Sequence, residues 1–426
     1  MDLQTDHAAH YGRQLLNDLG CDISLDSASD HPALSWRKSG LLQTTNLMLP
    51  LSLTSAADGA LLALKALSGR ADALPENGAV LLGERARLRE TVRQGRFCAG
   101  GYGRLLDGQD GRLALNLVRD EDWDLVPAWL EADVTDWDGV ARAVKGRTCA
   151  ELASRAAEIG LAVAQDRLPD RPTEWIMRQS YEKGEVKTAP LVVDLSGLWA
   201  GPLASSLLGM LGADVVKIES PIRADGMRFG HAGFYGLINA GKKCVALNFR
   251  NADDLAKLKT LLHAADIVIT ASRPRALSQL GVEAEDFMTA KAGKVWARLT
   301  AYGQSENRIG FGDDIGISAG LATVMERAHN EPCFVGDAIA DPVNGLHLAL
   351  AVYASYQQGG GALIDMSMCD TLRYAMGEIG QDLRTTARDW AKIAAQDEAP
   401  LYPLRNVTGA VRDLGADTDM IMSALC

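Results

Sequence analysis

The sequence predicts an α/β protein, with an open, doubly wound parallel sheet in its C-terminal half and a smaller α+β domain placed N-terminally to it. Three observations carry that expectation. Residues 191–220, LVVDLSGLWAGPLASSLLGMLGADVVKIES, give a strand, a small-residue turn, a helix and a second strand within a span that suits a right-handed βαβ unit. From Leu191 onward, apolar strand-like runs at 191–194, 214–218, 243–248, 266–270, 295–300 and 362–366 alternate with helical segments. The residues ahead of that alternation contain RLLDGQDGRLALNLV, a hairpin with DGQDG as its turn.

Taken in chain order, residues 8–19 form an amphipathic helix stopped by Gly20, and a Ser/Asp-rich connection follows at 22–30. An Ala/Leu helix over 56–68 ends at Gly69. GAVLLGERARLRETVRQG is expected to give a short strand and a charged helix, and helices are expected near 123–130 and 149–160 after the hairpin. Proline-rich residues at 168–172 and a polar stretch to Thr188 place a boundary near 170–189. In the βαβ unit the first strand ends at Asp194. The turn holds Gly197, Ala200, Gly201 and Pro202, and the helix runs over about 203–211 until Gly212 stops it. A helical segment at 371–395 leads into an irregular tail with Pro400 and Pro403. The expected domains are N-terminal helices at 1–74, a small α+β domain at 75–170, the sheet domain at 188–378 and a tail at 379–426.

A weak internal repeat crosses these boundaries. Ser39–Gly40–Leu41 precedes a helix beginning at Gly59, and Ala319–Gly320–Leu321 precedes one beginning at Gly345. The spacing between the glycines differs between the copies, so the register slips. Where the later copy has Asp341 four residues before its glycine, the earlier has Ser55. If the copies share an origin, the first has lost its carboxylate.

Composition narrows the function. The net charge is −12 with no basic block, so nucleic acid is not an expected partner. Seven cysteines are scattered without CxxC spacing, which points to reduced thiols in a cytoplasmic protein and to no metal site. The polar, acidic first twenty residues do not read as a signal peptide. No apolar run approaches the roughly 18 residues needed to span a bilayer, so no membrane is expected.

The βαβ unit lacks a GxGxxG turn and is therefore not a dinucleotide fingerprint. Its wording, DLSxxxAGPxAxxLLxxLGADVVKIE, resembles the opening of the family III CoA-transferases, the CaiB/BaiF group that includes formyl-CoA transferase and α-methylacyl-CoA racemase. GLHLA at 345–349 is similar to the family's GMHLA-like helix, residues 80–130 to its small domain, and LGADTDMIMSAL to its C-terminal ending. The resemblance implies a Rossmann-like CoA-transferase domain in a rearranged order, with small-domain material first.

By spacing alone, Asp341 is an ordinary carboxylate near a helix start, favoured by unpaired N–H groups and the dipole. The resemblance makes it the nucleophile, with Asp337 as competitor. The racemase branch places a histidine in a GHD motif, whereas GFGDDIG at 310–316 has Phe311 or Asp313 there. Proton exchange at an α-carbon wants a base titrating near neutrality, so this departure favours transfer. Asp313 and Asp337 are candidate catalytic supports, and Gly100 and Gly101, with Gly103, suit a mobile loop over the site. For CoA the candidates are Gly197, Trp199 (stacking on adenine) and Ala200, with Arg228, Lys242 and Arg273 as phosphate partners. Ala271 and Ser272 depart from the family's Asn–Phe, so a different adenine pocket is expected.

The implied partners are an acyl-CoA and a small carboxylic acid, with no cofactor beyond the CoA thioester, no metal, and a homodimeric assembly. A racemase or isomerase, and a non-catalytic acyl-CoA-binding relative, are the alternatives.

Overall fold

A computed structural model describes residues 4–425. Its main sheet has seven strands in the order Met177–Ser180, Ala362–Ser367, Val295–Thr300, Ile267–Thr270, Leu191–Asp194, Asp214–Glu219 and Lys243–Ala246. The last six are mutually parallel. Chain order runs outward in both directions from Leu191–Asp194 and Ile267–Thr270, so the topological switch point lies between those two strands, where open α/β sheets take ligands. All six strands expected from the sequence are present.

The seventh strand, Met177–Ser180, lies in the segment read as a linker and pairs antiparallel with Ala362–Asp365. Its four residues, MRQS, are exposed and mostly polar, so no hydrophobic alternation announces it. It ties the connection between the small domain and the sheet to the sheet's edge.

Each face of the sheet has its own core. One face packs Ala252–Ala264 and Ala284–Ala290 against Val193, Val216, Val268 and Trp296. The other packs Ala200–Met210, Ala340–Gln357 and the N-terminal helices into one continuous cluster. Ala340–Gln357 is buried along nearly its whole length, lying between Ala200–Met210 and Leu53–Ser68. That placement explains why its sequence is apolar on most faces.

The N-terminal helices repeat the layout of the region around Asp341. Pro32–Lys38, Leu41–Thr45 and Leu53–Ser68 follow the same order as Gly312–Ser318, Leu321–His329 and Ala340–Gln357. The middle helix of each set begins after a left-handed glycine, Gly40 at φ 90° and Gly320 at φ 100°. It ends at a left-handed asparagine, Asn46 at φ 60° and Asn330 at φ 58°.

The small domain is a three-stranded antiparallel sheet of Gly103–Asp107, Arg112–Asn116 and Ala162–Gln165, covered on one face by Asp122–Leu130, Trp137–Val144 and Cys149–Ile159. Through its other face, Leu105, Ala114 and Ala164 pack on Ile317, Ala322 and Phe334 of the same chain. The small domain therefore sits beside Gly312–Ser318 and Leu321–His329 of its own chain.

Several elements differ from expectation. The segment at 78–95 forms one helix, Ala79–Arg89, with no strand, and Trp137–Val144 was not foreseen. Residues 371–395 divide into Met368–Ala375 and Leu383–Ala395, and the tail carries a helix at Thr418–Leu425 against Lys243–Ala246. The two long helices begin at Leu53 and Ala340, several residues before Gly59 and Gly345, so Asp341 lies inside the first helical turn. Cys426 lies outside the described residues, and the other six cysteines are free. Among the described residues no helix is long and apolar enough to cross a membrane.

Candidate active site

Asp341 is set by two helix ends and one glycine. It stands in the first turn of Ala340–Gln357, where unpaired N–H groups and the dipole favour a carboxylate. The Ala200 N–H, the first donor of Ala200–Met210, faces its carboxylate and favours the anion. The two helices come this close because Gly345 has no side chain: a Cβ there would lie 2.8 Å from the Ala200 carbonyl oxygen. Gly312 is more tightly constrained, since a Cβ on it would overlap Asp341 Oδ2. The carboxylate thus rests against bare backbone. Three residues before it, Ala338 is held at φ 49°, a left-handed conformation that costs a non-glycine residue roughly 1–2 kcal/mol. The Asp313 carboxylate secures that turn by accepting from Ala338 N–H at 2.9 Å.

Three carboxylates and one guanidinium meet here. Asp337 is fully buried and forms a two-point pair with Arg85 at 2.8 Å and 2.5 Å. Arg85 in turn lies over the Trp199 ring, 4.6 Å from its centroid. Burial pushes the Asp341 carboxyl up to about 7; Arg85 draws it down and Asp313 adds to the rise. Burial, then Asp337, lift Asp313 to about 6, again opposed by Arg85. Asp314 is structural: it accepts from Asn116 Nδ2 and Phe311 N–H, both at 2.9 Å, and so fastens the small domain to Gly312–Ser318.

The glycine loop reaches the same place. Cys98 contacts Asp313 through its thiol, and Gly103 packs against Phe334. Gly100 and Gly101 therefore belong to a loop beside Asp313, with Gly101 at φ 79° and Tyr102 exposed. Asp341, Asp313, Asp337 and this loop are brought together within a single chain.

The expected CoA cations are not brought together. Lys242 is buried under the turn, donating to the Pro202 carbonyl at 2.7 Å and to Asp194 at 3.3 Å. Arg228 is spent on Glu219 and on the Arg412 carbonyl. Trp199 is buried between Arg85 and Phe234, so its ring is closed to an adenine. In each case a neighbouring carboxylate or ring takes up the group the sequence left apparently free. Ala200 contributes its N–H to Asp341. Gly197 is exposed at the tip of the turn, and Arg273 is exposed beside a shallow groove lined by Thr270, Ser272, Pro274 and Arg298.

The missed residues explain the turn itself. Asp194 accepts from Ser196 N–H at 2.9 Å and from the hydroxyls of Ser196 and Ser205. Burial would raise its carboxyl, but Lys242, Lys217 and these hydroxyls hold it below the usual range. Lys217 bridges Asp225 and the Ser196 carbonyl, both at 2.9 Å, and Asp225 accepts from Leu198 N–H at 3.0 Å, pinning Leu198 at φ 63°. A lysine inside the apolar strand DVVKIE was the available signal. His347, also buried, bonds the Val343 carbonyl through Nδ1 at 2.7 Å and the Tyr11 hydroxyl through Nε2 at 2.8 Å. Burial lowers it to about 4, so it is a neutral structural joint.

A sequence model of the family described as CoA-transferase family III matches residues 190–407. Over 233 residues the chain is 29% identical to the (R)-2-hydroxy-4-methylpentanoate CoA-transferase of Clostridioides difficile, covering 50% of this chain and 57% of that one. It is 28% identical over 212 residues to the succinyl-CoA:glutarate CoA-transferase of Homo sapiens, covering 46% and 48% of the two chains. The chain spans about half the length of the curated relatives it matches. A CaiB/BaiF family protein from Brucella suis aligns with a TM-score of 0.40 at 25% identity, covering 47% of this chain and 56% of that one.

Proposed function

Because this chain belongs to CoA-transferase family III, we propose that it moves coenzyme A from an acyl-CoA donor to a small acceptor carboxylate, with Asp341 as covalent nucleophile. The observation that carries this reading is the Asp341 carboxylate itself. It keeps some exposure, faces an unpaired helix N–H and lies against the bare backbone of Gly312.

In the first step a carboxylate oxygen of Asp341 attacks the thioester carbonyl. The C–S bond breaks, giving a mixed anhydride and CoA thiolate. The thiolate then attacks the aspartyl carbonyl and expels the donor acid as carboxylate, leaving an aspartyl-CoA thioester. An acceptor carboxylate attacks that thioester and releases thiolate. Attack of the thiolate on the acceptor's acyl carbon forms the new acyl-CoA and returns Asp341 as a carboxylate. No cofactor beyond the CoA thioester enters this sequence.

The names of the relatives above, which act on branched hydroxy acids and on dicarboxylates, support small organic acids as the substrate class. A racemase would need a base near neutrality beside Asp341. His347 is neutral and engaged on both ring nitrogens, and Asp313, lifted to about 6 nearby, is held on the Ala338 N–H, so no histidine base favours that reading. Reduced cysteines suit a cytoplasmic setting. The assembly proposed is a homodimer in which each small domain completes its own site.

Incubation with an acyl-CoA and hydroxylamine, followed by peptide mass spectrometry, tests the reading. A hydroxamate at Asp341 is expected. Unmodified Asp341 across a panel of acyl-CoA donors would leave only CoA binding.

A further inference from the structure

The two similar helix sets leave a groove between their middle helices. Leu42 and Leu47, from Leu41–Thr45 and the loop after it, form one wall, and the end of Leu321–His329 forms another. Leu383–Ala395 supplies the third, presenting Ala387, Ala391 and Ala395 together with Arg384 and Arg388. The groove has a volume of about 590 Å³, within the range of small-molecule sites, and like them it is mainly apolar with a few polar groups. Its charge is one-sided. The chain carries a net charge of −12, yet three arginines and a histidine line the groove and no carboxylate does. Arg37 is already neutralised, since its Nε donates to Asp397 at 3.1 Å and its Nη2 to Asp397 and the Ala399 carbonyl. His329 Nε2 donates to the Met48 carbonyl at 2.7 Å. Arg384 and Arg388 are exposed. Among the described residues Arg384 makes no ion pair, and Arg388 has only Asp389, 3.7 Å from its Nε on the same helix. Asp382, at the helix start, is committed to the Thr385 N–H at 3.0 Å.

We propose that this groove is a separate ligand site, which binds a medium-chain alkyl carboxylate with its head on Arg384 and Arg388 and its tail over the apolar floor. The two arginines stand one turn apart on one face of the helix, where a single carboxylate can meet both guanidinium groups. From Ala387 to Ala395 the helix rises roughly 12 Å, which sets the length of floor open to a tail. An alkyl chain gains there by covering Leu42, Leu47 and Ala391. A dicarboxylate would hold its second charge over that floor, with Arg37 at the far end already satisfied by Asp397, so the site selects against it. The groove shares no residue with the Asp341 centre, so the proposal stands whether or not Asp341 is the nucleophile.

Calorimetric titration of the full chain with octanoate is the test. Saturable binding is expected at submillimolar concentration, unchanged in Asp341→Asn, and weakening about fourfold for each methylene removed in heptanoate and hexanoate. Octanol and octyltrimethylammonium should bind more weakly by about tenfold or more, because neither offers a carboxylate to the arginines. The double variant Arg384→Ala/Arg388→Ala should lose about tenfold or more in affinity. Ala391→Trp, which fills the floor and keeps both cations, should lose as much. All three positions are exposed, so the thermal midpoints should stay with wild type. Octanoate binding that survives both variants, or that is lost in Asp341→Asn, would place the ligand elsewhere and overturn the proposal. Equal binding of octyltrimethylammonium would overturn it by showing that the arginines take no part. An absence of saturable binding would overturn it as well and leave the groove to an acidic protein surface.

Discussion

Two helix crossings in this protein are built alike. In one, Ala340–Gln357 meets Ala200–Met210 where Gly345 faces the Ala200 carbonyl. In the other, Leu53–Ser68 meets His7–Asp18 where a Cβ on Gly59 would overlap the Ala8 carbonyl oxygen. Backbone contact through a glycine sets the geometry in both. The first crossing has Asp341, a donor N–H aimed at it, Arg85 nearby and an opening to solvent. The second has Ser55, buried with no hydrogen-bond partner for its hydroxyl among the described residues. The difference teaches that the crossing supplies a place but not chemistry. Chemistry requires a carboxylate, a cation and a way in, and these come from other parts of the chain.

The largest effect should come from Asp341→Ala. Transfer should fall by about a thousandfold or more, with the circular dichroism spectrum and thermal midpoint kept, because the proposed nucleophile is gone. The reciprocal change, Ser55→Asp, puts a carboxylate in the closed crossing. It should cost on the order of 3 kcal/mol in urea unfolding and give no acylation. Acyl transfer to the introduced carboxylate would show that the crossing alone suffices and would break the comparison.

Next in size is Lys242→Ala, which leaves Asp194 with one buried cation fewer. A loss of roughly 3 kcal/mol is expected, more than any direct loss of CoA affinity. A full-strength fold with weakened CoA binding would return Lys242 to the ligand.

Gly345→Ala and Gly59→Ala form a matched pair. Each should destabilise the protein by about 1–3 kcal/mol through overpacking. Only Gly345→Ala should also slow transfer, about tenfold or more, since it moves the Ala200 N–H from Asp341. Equal rates in the two variants would mean that this donor is not used.

The pH dependence of stability sharpens the contrast further. The Asp341 carboxyl is raised in the folded state, so its contribution is fully present below pH 4 and is lost as pH rises through about 7. Asp341→Asn should therefore match wild type near pH 4 and exceed it at pH 8, by on the order of 1–2 kcal/mol at a partly exposed site. Ser55→Asn should show no such crossover. The smallest effect is expected for Arg273→Ala, about fivefold in CoA affinity by calorimetry, as for one exposed charged contact.

The sheet was legible because its strands are short apolar runs ending in turn residues, as in LVVD and DVVKIE. Met177–Ser180 was not, since an exposed polar edge strand carries no alternation. Asp341 could be placed only through the GLHLA resemblance, as its spacing alone describes a common helix start. Arg85 sits in ERARLR, a run of charges that reads as a solvated face, and only the fold carries it to Trp199 and Asp337. Lys242 and Arg228 show the converse. A cation near the end of a strand looks free in one dimension, and nothing in its own neighbourhood tells that Asp194 or Glu219 waits beneath it. Gly312 was passed over for the same reason, its importance lying in an atom that must be absent.

The joint between His347 and Tyr11 has a practical consequence. It pins the helix bearing Asp341 to a helix near the start of the chain, across the face where Leu53–Ser68 also lies. Excising 190–407, the stretch by which relatives are recognised, would strip that face and leave a neutral imidazole and a row of alanines and leucines in water. Such a fragment should express as aggregates, and co-expression with residues 4–89 should rescue it. The stretch that kinship recognises in this protein is shorter than the stretch that builds this core.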